Sequence, residues 1–108
     1  MKKKHALFTQ VSLAHDIPEY NLKRGSVGTI VEHYSMPEDE EDGYSLEGFD
    51  VPNVTIEVAA SKIISLSQYQ QEEILLSKLR QLSESRLSQF QDYLDFLLQK
   101  ENGDRKSA

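Results

Sequence analysis

The spacing of the apolar residues changes once along this chain, at Ser67. Before that point apolar and polar residues alternate, most clearly at Val54, Ile56 and Val58, and alternation is typical of a strand with one buried face. Beyond it the leucines recur three and four residues apart, which places them on one face of a helix. The chain is therefore expected to fold as a β-sheet region followed by a helical region.

A turn signal and a strand signal meet most closely in residues 22–34. Gly25 and Gly28 lie three residues apart, where a tight turn needs residues free of the steric penalty at positive φ. β-branched side chains follow, so the pattern predicts a strand after the turn, with Ile30 and Val31 on opposite faces. A phosphate-binding loop would need more glycines and a following helix, so both glycines are interpreted as structural turn residues.

Four further segments have strand patterns, and turn signals separate the segments about every ten residues. The five predicted strands cover residues 6–13, 28–34, 44–49, 54–59 and 60–66, the last as a short strand or a helical turn before one. The second and third strands are expected to pair as a hairpin. This succession predicts a small SH3-like barrel of antiparallel strands, closed or nearly closed.

Two helices are predicted after the strands. Ser67 and Gln70 have the spacing of a capping box, which predicts the start of the first helix. Cap-type residues at 83–85 predict a second helix over residues 85–100, joined tightly enough to the first to form an antiparallel hairpin. The expected class is α+β. The predicted organisation is an SH3-like barrel in residues 1–66, a helical hairpin in residues 67–100 and a disordered tail in residues 101–108.

Composition limits the classes of protein to which the chain can belong. With 108 residues, it is expected to form one domain, or one small domain with an appendage. Because it has no cysteine, disulfides and thiolate metal ligands are excluded, and the reducing cytoplasm is the expected location. The N-terminal apolar residues are interrupted too early for a signal peptide, and no stretch approaches the ~18 apolar residues of a membrane span. The formal net charge of −6 disfavours nucleic acid as a partner.

Residues 38–42 are five consecutive acids, here named the acidic loop. Adjacent like charges repel one another, so the loop is interpreted as a mobile, solvated hairpin tip that keeps a sheet edge soluble. The alternative is a cation site or a docking site for a basic partner, but Ca²⁺ loops space their ligands apart. No metal ion or cofactor is expected.

The segment from residue 11 to residue 66 resembles a small bacterial family of SH3-like barrels catalogued as domain of unknown function 4926. The residues that match the family pattern are Pro18, Glu19, Leu22, Gly25, Gly28, Thr29, Val31, Glu32, Tyr44, Glu47 and Phe49. The chain departs from that pattern at Asn21, where glycine is usual, at the inserted Gly48, and in its long acidic loop. The resemblance implies the barrel fold and no established activity.

Two shorter resemblances concern binding. The central strand is similar to the KOW element of ribosomal and transcription-factor barrels, which implies binding of RNA or protein, the RNA through Lys23, Arg24 and the basic N-terminus. Residues 77–100 resemble the helical segment of small bacterial antitoxin-like proteins, with residues 93–97 carrying the match and Ser83 in place of the usual proline. That second resemblance implies protein association.

The candidate catalytic residues do not form a recognisable set. His5, His15 and His33 have neither the spacing of a helical metal motif nor a nucleophile signature near them. The chain is therefore not expected to be an enzyme.

A protein-interaction function is expected instead, because the second helix carries more apolar surface than one neighbouring helix would cover. That surplus either packs on the barrel or binds a protein partner or a second copy of the chain. An antitoxin-like or accessory subunit is the most specific version of this expectation, and a KOW-like nucleic-acid-associated barrel is the alternative. The expected anchors for the partner are Phe90, Tyr93, Leu94, Phe96 and Leu97.

Overall fold

The computed structural model describes residues 4–50 and 53–106. Its elements are β1 (Gln10–Leu13), β2 (Val27–Tyr34), β3 (Gly43–Glu47), β4 (Ile56–Ala59), β5 (Ile63–Ser65), α1 (Leu66–Leu79) and α2 (Glu84–Lys106), with 3-10 turns at Pro18–Tyr20 and Ala60–Lys62. The predicted α+β class is confirmed, since an antiparallel five-stranded sheet precedes two helices. The predicted turn at residues 50–53 includes Val51 and Pro52, which lie outside the described residues.

The strands form one sheet in the order β4-β3-β2-β1-β5, and every neighbouring pair is antiparallel. The expected hairpin is confirmed, because β2 pairs with β3 from Thr29 opposite Glu47 to Tyr34 opposite Gly43, with a bulge after Ile30. The barrel, however, is not closed. The turn Ala60–Lys62 carries the chain from one edge of the sheet to the other, so β4 and β5 stay apart as edge strands within the part of the chain described.

Two predicted strands begin later than the alternation of apolar residues indicates. β1 begins at Gln10 because Phe8 has a φ of 64°, which interrupts the extended backbone. β4 begins at Ile56, three residues after Asn53, whose φ is 63°. The alternation of apolar and polar side chains does not indicate that these two residues have a positive φ.

The core lies between the strands and the loops that follow β1 and β3. Ile30 is fully buried and Val31, on the opposite face of β2, is only half-buried, as their parity predicts. The buried apolar residues are Val11, Leu13, Ile17, Leu22, Ile30, Tyr44, Leu46, Phe49, Ile56 and Ile63. All of them belong to residues 1–72, which form one compact unit, while residues 73–108 form another. The boundary therefore falls inside α1 and not before it.

The two predicted turn glycines have different roles. Gly25 lies in the turn before β2 and has a φ of 93°, a backbone conformation that glycine adopts without steric penalty. Gly28 is not a turn residue; it lies buried within β2, where a Cβ atom would come 2.6 Å from Cζ of Phe49. The constraint at Gly28 is thus the close approach of an aromatic ring to the backbone.

The helix caps differ from the predicted ones at α1 and agree at α2. The Gln68 amide donates to Oγ of Ser65 at 3.1 Å, so the cap lies two residues before the predicted Ser67. At α2 the Arg86 amide donates to Oγ of Ser83 at 3.4 Å, within the predicted group of cap residues.

The C-terminal tail predicted to be disordered from residue 101 is helical as far as Lys106. Gly103 costs only about 1 kcal/mol relative to alanine within a helix, and extension of an existing helix needs no new nucleus. Residues 107 and 108 lie outside the described residues.

Gly28→Ala is expected to lower the free energy of unfolding by about 1–3 kcal/mol, because the new methyl group overlaps the Phe49 ring. Denaturant unfolding measures the change. Gly43→Ala is the control, since its Cβ would lie 3.5 Å from its nearest neighbour atom and its φ is not positive. Equal losses for the two variants would contradict this account of Gly28.

Ser12→Ala is expected to leave the free energy of unfolding unchanged or to raise it by up to about 1 kcal/mol. Ser12 is 1% exposed, and among the described residues its Oγ is the buried side-chain atom that has no hydrogen-bond partner. The control is Ser45→Ala, which removes a 2.8 Å hydrogen bond to the Tyr34 hydroxyl and should lower the same quantity by about 1 kcal/mol. A larger loss for Ser12→Ala than for Ser45→Ala would show that the Ser12 hydroxyl has a partner.

Candidate functional site

The predicted anchor residues all lie on α2 and are accessible there. Phe96 is 58% exposed and Tyr93 is 55% exposed, while Leu94 and Leu97 are 40% and 39% exposed. Phe90 is partly buried. Across the part of α2 whose side chains the structure describes, none is buried, so the chain by itself leaves this apolar surface in contact with water.

The anchor residues occupy two neighbouring faces of α2. Phe90, Leu94 and Leu97 follow one another at spacings of four and three, which aligns them along one stripe. The rings of Tyr93 and Phe96 stack beside that stripe with their centroids 6.5 Å apart and their planes 20° apart. The predicted set therefore consists of a stripe, Phe90, Leu94 and Leu97, and a neighbouring aromatic pair. A partner that covers both must contact two faces of the helix.

α1 and the connection to α2 expose further apolar side chains, which the predicted set of anchors omitted. Ile74 is 55% exposed, Leu75 is 52% exposed and Leu82 is 39% exposed. These side chains of α1 and of the connection are therefore open to solvent. Helical periodicity identified the apolar face of each helix, but it contains no information about what covers that face.

The acidic loop is not uniformly solvated, in contrast to its interpretation as a mobile tip. Asp42 is 3% exposed; one carboxylate oxygen accepts from the Met36 amide at 2.9 Å, and the other lies 2.8 Å from Nε2 of His33. Residues 38–40 are exposed. The C-terminal part of the loop is thus a structural element that joins β2 to β3.

Glu41 is also held in place, although its side chain is exposed. Its carboxylate accepts from the Ser61 amide at 2.7 Å, and this hydrogen bond, with a smaller contribution from Lys62, lowers the pKa of Glu41 below its usual value of 4.5. Because the folded-state pKa is lowered, the contact stabilises the fold above pH 4.5 and loses that effect as pH falls through the lowered pKa.

Two of the three histidines pack on one buried tyrosine. The ring of His33 stacks on Tyr44 at a centroid distance of 4.9 Å, and the ring of His5 meets the same tyrosine edge-on at 5.6 Å. The His5 amide donates to the Tyr44 hydroxyl at 3.1 Å. His15 is exposed and distant in sequence from this cluster. In this cluster His5 and His33 both pack against Tyr44.

Among the basic residues proposed for nucleic acid, one of those that the structure describes is already engaged in other contacts. The Arg24 guanidinium lies 4.9 Å from the Tyr69 ring centroid, and one of its nitrogens is 3.8 Å from a Glu72 oxygen. Lys23 is exposed, and Lys2 and Lys3 lie outside the described residues.

The family assignment follows from the strand region. The family model described as Domain of unknown function (DUF4926) matches residues 7–62, more than half of the chain, and the chain belongs to this family. No curated protein and no solved structure matches the chain. The matched residues include β1 to β4 and end before β5 and the two helices. Within the described residues, neither helix is both long and apolar enough to cross a membrane.

Asp42→Ala is expected to lower the free energy of unfolding by about 1–3 kcal/mol, because it leaves the Met36 amide and the His33 ring without their buried acceptor. Asp39→Ala, which removes an exposed carboxylate from the same loop, should change it by less than about 0.5 kcal/mol. Thermal or denaturant unfolding of the two variants makes the comparison. Equal, small effects would mean that the whole loop is solvated.

Proposed function

We propose that this protein is a non-enzymatic interaction protein that associates through its C-terminal helices, either with a protein partner or with a second copy of itself. The observation that carries the proposal is the exposure of large apolar side chains along α2, from Leu87 to Leu98. Contiguous apolar surface of this kind is typical of binding sites, whereas single exposed apolar residues are ordinary.

The physical argument concerns the stability of α2 itself. Most helices in proteins are stabilised by packing of an apolar face, and intrinsic helix propensity contributes little by comparison. None of the described α2 side chains is buried within the chain, so the helix lacks that contribution until another surface covers it. Aromatic residues usually dominate the energetics of such contacts, which favours Phe90, Tyr93 and Phe96 as anchors.

Within this proposal, the protein acts as an antitoxin-like or accessory subunit in the bacterial cytoplasm. An SH3-like strand region would then serve as the folded body that carries the binding helices. The antiparallel sheet supports this version, and so does the location of the apolar surface outside the residues that match the family.

A KOW-like role with nucleic acid is the second candidate and has weaker support. The net charge of −6 opposes binding to phosphates, and Arg24 is already engaged by Glu72 and Tyr69. A fluorescent single-stranded RNA titrated at low salt tests it. Binding that weakens steeply with added salt would support the nucleic-acid role, whereas no binding at low salt would remove it.

Phe96→Asp is expected to abolish association and to leave the strand region folded, because a charge replaces an exposed aromatic anchor. Light scattering gives the mass of the purified protein and of its complexes, and circular dichroism checks the fold. Gln99→Asp adds the same charge to an exposed polar position of α2 and should associate like the parent protein. If Phe96→Asp associates as well as Gln99→Asp does, the helical surface is not the interface.

A further inference from the structure

We propose that the open edge of β4 is a second binding site, which takes an extended, basic segment of a partner protein as a sixth strand of the sheet. The inference goes beyond the helical association, since every residue that carries it lies within residues 1–72. It rests on three observations: the direction of the β4 backbone groups, a groove beside that edge, and the charge of the groove.

The backbone of β4 directs groups away from the sheet at alternate residues. The Ala60 amide donates to the Asp42 carbonyl at 2.9 Å, and β4 pairs with β3 at Ala59–Gly43, Val58–Tyr44 and Glu57–Ser45. In an antiparallel ladder hydrogen-bonded and non-bonded pairs alternate, so the N–H and C=O groups of Glu57 and the N–H group of Ala59 are the edge groups that point away from β3. The Ala59 carbonyl is excluded, because Ala59 is the N-cap of the 3-10 turn Ala60–Lys62 and an N-cap carbonyl accepts the first hydrogen bond of its helix. β4 is an edge of the sheet, and these groups have no partner strand among the described residues.

A groove of about 310 Å³ runs beside this edge. One wall is β4, from Glu57 to Ala59, and the other is the 3-10 turn Pro18–Tyr20. Two amides at that turn are paired locally, since those of Tyr20 and Asn21 donate to the carbonyls of Ile17 and Pro18. These two amides therefore do not compete for the β4 backbone groups.

The charge of the groove selects a basic segment. Three acidic residues line it, Asp16, Glu19 and Glu57, against one basic residue, Lys62. Side chains directly opposite one another on neighbouring antiparallel strands lie ~5 Å apart, so a lysine or arginine opposite Glu57 would form a cross-strand ion pair. A second copy of β4 would instead bring Glu57 near its own counterpart, and like charges opposite one another are destabilising. The occupant is thus a basic extended segment and not another β4.

The backbone at Ala59 allows a specific test of the hydrogen bonding. Ala59 has a φ of −73°, which matches the value that a proline ring imposes, and its amide is one of those that point outward. Ala59→Pro therefore removes one edge donor without straining the strand.

The experiment is an NMR titration of the ¹⁵N-labelled full chain with a blocked eight-residue peptide of alternating lysine and valine. Saturable shifts are expected at the Glu57 and Ala59 amides, and about tenfold weaker binding is expected for Ala59→Pro. Glu57→Gln should weaken binding of the peptide and reduce the salt dependence of that binding. Glu47→Gln is the control and should change neither, because Glu47 is an exposed residue of β3 that does not line the groove. Phe96→Asp should bind the peptide like the parent, which separates this site from the helical surface.

Two control peptides keep the test independent of the variants. An alternating glutamate and valine peptide should not bind, and the lysine peptide N-methylated at alternate residues should lose binding even if Ala59→Pro fails to fold. No binding of the lysine peptide at millimolar concentration would overturn the proposal. Equal binding of the acidic or N-methylated peptide, or shifts confined to α1 and α2, would overturn it as well.

Discussion

The approach of the Phe49 ring to the backbone at Gly28 is the contact on which the strand region depends. Gly28 lies in β2, which pairs with both β1 and β3, and Phe49 comes from the segment that follows β3. The contact therefore places the chain after β3 directly over the central strand of the sheet. Any side chain at residue 28 would push the Phe49 ring outward and loosen the packing between the sheet and the segment that follows β3. Close-packed interiors have few voids that could absorb the change.

A second constraint acts at the opposite end of the β2–β3 hairpin. Asp42 lies buried between His33 and the Met36 amide, and His33 in turn stacks on Tyr44. A buried carboxylate is tolerated only where such partners satisfy it. The acidic loop thus combines one buried carboxylate, that of Asp42, with an exposed tip. The hydrogen bonds of Asp42 fix the geometry of the hairpin, although a charged residue would by itself prefer water.

The two proposed binding surfaces use different physical chemistry. The helices present apolar side chains, so association there would depend on removal of surface from water and would respond weakly to salt. The β4 edge presents backbone donors and acceptors beside carboxylates, so binding there would depend on alignment and would weaken as salt is added. A protein with both surfaces could bind one partner through the helices and bind a basic extended segment at the sheet edge.

Alternation of apolar residues, the change of period at Ser67 and the cap residues around Ser83 determined the order and type of the elements, because each of these signals is local in sequence. The tertiary structure decided what depends on residues far apart: the place of Gly28 beneath Phe49 and the open edge of the sheet. The apolar residues that α2 exposes could be named from periodicity. The β4 groove could not, since its walls come from segments about forty residues apart that only the folded sheet brings together.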